Sequence, residues 1–524
     1  MECMNRDGVS RRYFFFGTLL AGAVPSGGFG STQSLRALGY KPFYDKLNVA
    51  AIGCGGQGGA DLNAASLTEN IVALCDVDDA RAAANFKKFE KQPKFKDYRV
   101  MLDKLGKEID ACTIGIPDFM HAEAAMACMQ RGKHVYVEKP LTRTPWEAQL
   151  LRDAAVKYKV ATQMGNQGFS HECNRVAAEI VWSGAIGDIT EAHISVTPGT
   201  HPTGLQELPP EESVPDTLNW DLWLGAAAMR PFSTYYVPYN WRGFWDFGTG
   251  QVGNWATHTA GPVHTALMLG APSSVECIAQ VTPSKLTFPV RGVVRLDFPA
   301  RGAMPPVKVF FHDSTRAGDP EAFQVLGMEN ETILPPVNNL SDKGRPMGGR
   351  AAAGGGRGAG AGRGAAGAVA PAGGGRAPGA PRQGAGGAGV RVFGEPNGPS
   401  QAGVLTGNGS VFVGTKGVMA TSSRGEGVWL LPAARWAEYV LPPQLLTRSP
   451  GHMLDWVRAC KGGDPSCADF SITTPYAEWL SLISIAYRVP GKLDWDSKAL
   501  RFTNSAEANK YVRPAMRKGW ELKL

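Results

Sequence analysis

Gly53-Cys54-Gly55-Gly56-Gln57-Gly58 follows the apolar stretch Leu47-Asn48-Val49-Ala50-Ala51-Ile52 and leads into a helical pattern. No other feature constrains the fold as much, because such a glycine run is useful where a strand turns sharply into a helix and the backbone itself meets a ligand. Gly53 permits the tight turn. Gly55 removes the side chain that would keep a pyrophosphate off the backbone, and Gly58 lets helix and sheet touch. With Gly56 and Gln57 at the opening of the helix, its N-terminus presents amides and a positive dipole to the anion. Asp76 closes the next apolar run, 21 residues after Gly55, where a carboxylate accepts hydrogen bonds from a ribose 2′-hydroxyl and repels a 2′-phosphate. NAD is therefore expected over NADP, although Arg81 nearby keeps NADP open.

Apolar and amphipathic runs alternate from here. Helices are expected from about 59, from about 78, over 118–131 and over 145–157, with strands over 71–75, 111–116, 134–137 and 160–164. Short connections between alternating strands and helices predict a doubly wound parallel sheet, since a parallel strand is reached only by a crossover. Residues 47–165 read as a Rossmann domain for NAD(P). The pattern then changes. Longer strands over 189–197, 274–280, 292–298, 307–312 and 410–414, with helices over 452–460 and 475–489, predict an α+β domain at 166–524 with a large, mainly antiparallel sheet for substrate and oligomerisation.

At 524 residues the chain is too long for one core, and 43% hydrophobic with 19% charged residues excludes wholesale disorder and a multi-pass membrane protein. The net charge of +7 is misleading: residues 343–391, mostly Gly, Ala, Arg and Pro, carry eight positive charges and no acid, so without them the balance is −1. That stretch reads as a disordered insertion. It lacks the aromatics that stack on bases, so no nucleic-acid partner is expected. Near the start, Ser10-Arg11-Arg12-Tyr13-Phe14-Phe15-Phe16 and the apolar run 17–23 resemble a twin-arginine export signal. Residues 1–30 are read as that signal and 31–46 as a linker, with a periplasmic or otherwise exported product. The apolar run is shorter than the ~20 residues of a spanning helix, so no stable membrane insertion is expected after cleavage. None of the nine cysteines has metal-ligand spacing, and no metal site is expected. Cys54, Cys75, Cys112 and Cys128 read as small core residues, and a Cys460–Cys467 bridge is left open.

A second constellation, Gly132-Lys133-His134-Val135-Tyr136-Val137-Glu138-Lys139-Pro140, ends the fourth strand. Lys139 then faces the ligand crevice, where an ammonium favours a developing alkoxide; a surface lysine paired with Glu138 is the alternative. Together with the glycine run, Asp76 and Pro117-Asp118-Phe119-Met120-His121, this resembles the Gfo/Idh/MocA family, and within it the exported, sugar-associated branch. The likeness continues through Met164-Gly165-Asn166-Gln167-Gly168 and near Lys518-Gly519-Trp520. It implies a nicotinamide coenzyme on the first domain, a sugar or polyol in the cleft against the second, and a homo-oligomer. It gives Lys139 a role at the nicotinamide ribose and the substrate hydroxyl, often beside a cis proline, and puts Pro117, His121 and Glu138 at the coenzyme; His121 also reads as a solvated helix position. The family's Asp-x-Gly-x-His helix corresponds to Asn254-Trp255-Ala256-Thr257-His258. His258, which takes the hydroxyl proton, is retained, while Asn254 and Gly261 replace the two acids and Ala256 the glycine. On a helix both acid positions share a face with His258, so it is expected to be a weaker base unless Asp246 or Glu172 folds in beside it. Phe119 and Phe169 stand where exported relatives often have histidine. His264, off that face, reads as structural.

Trp220, Trp223, Tyr235, Tyr236, Tyr239, Trp241, Trp245 and Trp255 crowd one region, which suits either flat walls for a sugar or a loop packed on a sheet. Arg242 and Asp246 add hydroxyl contacts, and Asn254 is placed beside the substrate. The expected activity is NAD(P)-dependent hydride transfer on a sugar, polyol or glycoside, with Lys139 and His258 sharing the proton transfer. Export separates such an enzyme from a pool of free coenzyme, so the coenzyme is expected to be loaded first, held tightly and regenerated in place. A sugar-binding protein that has kept only the scaffold, and a glycoside lyase or hydrolase working through a transient ketone, are the alternatives.

Overall fold

The computed structural model describes residues 45–345 and 402–524. The residues read as an export signal, most of those read as a linker and nearly all of the 343–391 stretch lie outside the described residues.

Six parallel strands form the first sheet: β1 (Asn48–Ile52), β2 (Asn70–Cys75), β3 (Lys94–Phe95), β4 (Ala111–Ile114), β5 (His134–Glu138) and β6 (Thr162–Gly165), in the order β3-β2-β1-β4-β5-β6. The chain starts at the middle of this sheet, builds outward through β3, then crosses to β4 on the other side of β1. A crevice opens where the winding reverses. The central strands β1, β2 and β4 are mostly apolar because helices cover both faces. These include α1 (Gly56–Ala65), α2 (Asp79–Lys88), α3 (Tyr98–Leu105), α4 (His121–Met129) and α5 (Pro145–Tyr158). Helix α1 begins at Gly56, three residues before the expected start. Gly53 takes a φ of 89°, and a Cβ on Gly58 would lie 2.5 Å from the Gly53 carbonyl oxygen and 2.7 Å from that of Gly115, which is the close helix-to-sheet approach the sequence pattern demands. The helix expected over 118–131 opens instead as a 3-10 turn, Asp118–Met120, before α4.

After α6 (Glu172–Trp182) comes a nine-stranded sheet: β7 (Ile189–Val196), β8 (Ser274–Val281), β9 (Arg291–Phe298), β10 (Val307–Asp313), β11 (Gly409–Gly414), β12 (Gly417–Ser422), β13 (Gly427–Leu431), β14 (Leu493–Asp496) and β15 (Arg501–Phe502). Only the β7–β10 pairing is parallel.

The C-terminal helices do not belong to that sheet alone. Helix α7 (His452–Cys460) buries Trp456 and Cys460 among Val49, Leu62 and Leu74 of the first domain, and Lys461 pairs with Glu69 at 2.9 Å. Helix α8 (Phe470–Ala486) packs along α5, with Gln149 donating to Glu478 at 3.1 Å and Thr162 to Asp469 at 2.7 Å. It starts five residues before Pro475 because Asp469 caps it, accepting from the Ser471 amide. Cys460 and Cys467 are both free thiols, the latter 3.2 Å from the Ser170 hydroxyl. Among the described residues no helix is long and apolar enough to cross a membrane, and no group of three or more His, Cys, Asp or Glu is placed to hold a metal.

Candidate active site

A cavity of about 770 Å³ lies at the carboxyl ends of β1, β2, β4 and β5. Gly53, Gly55, Gly56 and Gln57 line one part of it with Asp76 and Pro117; Glu138, Lys139, Asn254 and His258 line another. Gly58 supports the hairpin from behind without facing the cavity.

At the hairpin, Asp76 does two things. One oxygen accepts from the Cys54 amide at 2.8 Å and the other from the Asp78 amide at 3.0 Å, so the carboxylate tethers the turn while it borders the cavity. Burial raises its pKa. Arg81 lines the cavity beside the hairpin: a Cβ on Gly55 would come within 2.5 Å of its side chain. Backbone this bare, at a helix N-terminus beside a guanidinium and above a carboxylate, fits a dinucleotide, the phosphates meeting amides and the ribose meeting Asp76.

Beneath the second part, Gln57 donates to Asp61 at 3.1 Å and to Glu138 at 3.4 Å. Burial pushes both acids upward, Asp61 the more strongly because the Glu138 charge adds to it. The nearby Lys139 ammonium works against that rise at Glu138. The Lys139–Pro140 peptide is cis. Lys139 Nζ donates to the Asn254 carbonyl at 2.9 Å. Burial lowers its pKa to about 8, against the opposing pull of Glu138.

Asn254 does not lie on a regular α-helix. Residues Val252–Ala256 form a π turn, followed by the short helix Thr257–Thr259 that carries His258. Such turns recur at functional sites and are invisible to a 3.6-residue pattern. The carbonyl that meets Lys139 comes from inside this turn.

His258 finds an orienting partner that the sequence pattern does not announce. Its Nδ1 lies 3.0 Å from Asn166 Oδ1. The amide is fixed, because Oδ1 also accepts from the Gly168 amide at 3.2 Å while Nδ2 donates to the Thr257 carbonyl. An oxygen facing Nδ1 can only accept, so the hydrogen sits on Nδ1 and Nε2 keeps a lone pair. Desolvation, then Lys139 and Arg424, hold the His258 pKa well below 6.5. Neither acid offered as support arrives: Glu172 pairs with Arg448 and Arg345, and Asp246 pairs with Arg230 while 57% exposed.

Two candidate contacts are corrected by these placements. Asp246 points to solvent away from the cavity and makes no substrate contact there. His121 does not line the cavity and is not solvated; it is buried, with Nδ1 2.7 Å from the Pro140 carbonyl and Nε2 2.8 Å from that of Ile116, bracing the chain that carries Lys139. The aromatic region divides. Trp220, Tyr236 and Trp245 are buried in ring-to-ring contacts with neighbours such as Phe232, Phe244, Phe247 and Phe288, whereas Trp223, Tyr239, Trp241 and Trp255 border the cavity, with Arg242 against Tyr239 and Trp241. Phe119 packs on Trp223 and Phe247, Phe169 on Tyr476, and His264 on Tyr476 and Trp479. Arg424 is a cavity residue that sequence reasoning missed. It sits in the turn between β12 and β13, and nothing local in the sequence marks it.

A Rossmann sheet with a glycine hairpin and Lys139 at the end of β5, bordering one cavity with His258 of a second, α/β domain, defines a two-domain NAD-binding oxidoreductase fold. Residues 47–166 match the family model for "Oxidoreductase family, NAD-binding Rossmann fold" and 177–285 that for "Oxidoreductase family, C-terminal alpha/beta domain". These two stretches match the N-terminal and C-terminal domains of the Gfo/Idh/MocA oxidoreductases. It is 27% identical over 175 residues to a glycosyl hydrolase family 109 protein of Solibacter usitatus (31% of this chain, 39% of that protein), and 35% identical over 102 residues to inositol 2-dehydrogenase 2 of Saccharopolyspora erythraea (19% and 29%). These matches thus span well under half of each curated relative. The WlbA dehydrogenase from Bordetella pertussis, solved with NADH and UDP-GlcNAcA, shares the fold at a TM-score of 0.51 and 12% identity, over 86% of this chain and 99% of that one.

Proposed function

We propose that the protein is an NAD-dependent oxidoreductase acting on a hydroxyl of a sugar, polyol or glycoside. One observation carries this reading: Lys139 and the lone pair of His258 Nε2 border the same cavity as the glycine hairpin. A bound nicotinamide supplies the hydride acceptor, or donor in the reverse sense. The residues supply the rest. Gly53, Gly55, Gly56 and Gln57 with Asp76 hold the dinucleotide, and the Glu138–Asp61 pair steadies the chain from which Lys139 projects. Lys139, anchored to the Asn254 carbonyl, donates to the substrate oxygen and favours its alkoxide; His258 Nε2 takes the hydroxyl proton. Tyr239, Trp241 and Trp255 offer apolar faces to sugar C–H groups.

The twin-arginine reading adds that the protein works outside the cytoplasm with a coenzyme loaded before export and kept through each cycle. Acid extraction of protein purified without added coenzyme is expected to release about one NAD per chain, and sugars added to this holoprotein to change its nicotinamide absorbance. A coenzyme-free protein that turns over with free NAD would contradict retention alone. Failure to bind NAD or NADH at all by calorimetry would sink the enzymatic reading. A scaffold that only binds sugar is the second reading, motivated by the absence of carboxylates at Asn254 and Gly261; binding without any absorbance change across sugars, polyols and glycosides would favour it.

A further inference from the structure

Cations collect at the substrate end of the cavity. Lys139 is flanked by Arg242 and Arg424, whose charges both act to lower its pKa. Among the described residues no carboxylate pairs directly with either guanidinium, Asp118 and Glu138 of the same cavity acting on them from beyond ion-pairing distance, whereas Arg230, Arg345 and Arg448 each have a direct partner. Arg242 is partly buried. Its side chain has one hydrogen-bond acceptor, the Tyr239 carbonyl at 3.3 Å, and it lies over the rings of Tyr239 and Trp241 at 4.3 Å each. Arg424 is held 5.6 Å from the Trp255 ring, which in turn lies 5.7 Å from the His258 ring. Its backbone is fixed against the turn after β6, since a Cβ on Gly168 would lie 2.5 Å from the Arg424 carbonyl oxygen.

A guanidinium has five donors and pays heavily for lost water unless an anion replaces it. The dinucleotide phosphates have their own place at the glycine hairpin beside Arg81, whereas Arg424 comes from the second domain and stands on the His258 side. We infer that the substrate is an anionic sugar, its carboxylate or phosphate seated on Arg424 with Arg242 alongside and its reacting hydroxyl between Lys139 and His258. This rests on the oxidoreductase reading and narrows it. Cavity aromatics without these arginines would suit a neutral sugar equally well.

The test uses holoprotein with D-glucuronate, D-glucose 6-phosphate and D-glucose, read by calorimetry and by nicotinamide absorbance. Charge-assisted pairing with a partly desolvated guanidinium corresponds to roughly 10- to 100-fold, so at least one anionic sugar is expected to bind ten times or more tighter than glucose, and glucuronate against glucose 6-phosphate tells carboxylate from phosphate. Arg424→Gln is expected to bring the anionic-to-neutral ratio toward one while coenzyme affinity is retained, and Arg424→Lys to restore part of it. Equal binding of all three sugars would overturn the inference, as would an Arg424→Gln protein that loses coenzyme affinity instead, which would assign the guanidinium to the coenzyme phosphates. The calorimetric preference reports on the anion seat even when no sugar is turned over, which separates its failure from failure of the oxidoreductase reading.

Discussion

Asn166 decides what kind of base His258 is. An amide can fix the tautomer of an imidazole, but it offers no charge to an imidazolium, so the histidine stays neutral and ready far below its ordinary pKa. Asn166→Asp supplies that charge and is expected to raise the His258 pKa by about 1–3 units. A raised pKa means the base is lost at a higher pH, so the acid limb of kcat/KM moves up toward neutrality; an unmoved limb in the pH–rate profile would remove His258 as the base. Lys139 sets the other limb. With its pKa at about 8, the ammonium is present below that pH and lost above it, so kcat/KM is expected to fall as pH rises through about 8. Lys139→Arg keeps the charge and should shift this limb upward, at some cost in rate. The histidine and the lysine were legible as residues of interest because their neighbours in sequence carry family motifs. Their partners were not: Asn166 reaches His258 across 92 positions, and no local pattern reports such a contact.

Elements show why glycine was the most informative residue in the chain. Gly53 and Gly58 leave no room for substitution because backbone atoms stand in the way, whereas Gly55 and Gly56 face the Arg81 side chain. Gly58→Ala would press a methyl group against two carbonyl oxygens, prising α1 from β1 and β4, and is expected to weaken NAD binding at least tenfold, measured by calorimetry. Gly270→Ala, where nothing lies within 4 Å, serves as the control and should stay within about 0.5 kcal/mol in stability. The strand and helix alternation of the first domain followed from apolar runs and short connections, but the short β3 and the helix α3 went unanticipated and the 118–131 helix opens as a 3-10 turn. The π turn at Val252–Ala256 was different. A helical pattern says which face a residue takes only while 3.6 residues make a turn, and Gly253, whose Cβ would strike Thr249 and Pro140, lets this segment come close to the strand end that bears Lys139.

Across the whole molecule the two domains share material. Trp456, fully buried against the first sheet although it lies beyond the last strands of the β7–β13 block, ties the C-terminal region to the Rossmann domain. Trp456→Ala is expected to cost about 3–5 kcal/mol and to lower the midpoint of thermal unfolding for both domains together; a second domain that still melted at its original temperature would show that the coupling is weaker than the packing implies. What the sequence alone determined was the part governed by short spacing: a dinucleotide fold, its glycine hairpin, the acid at the end of the second strand, and the lysine after His134–Glu138. These follow from local sterics and periodicity. Only the folded chain decided which residues at long separation meet, bringing Arg424 and Asn166 to His258, carrying Asp246 out to solvent and closing His121 behind Lys139, because such neighbours are chosen by packing and by where buried polar groups find partners.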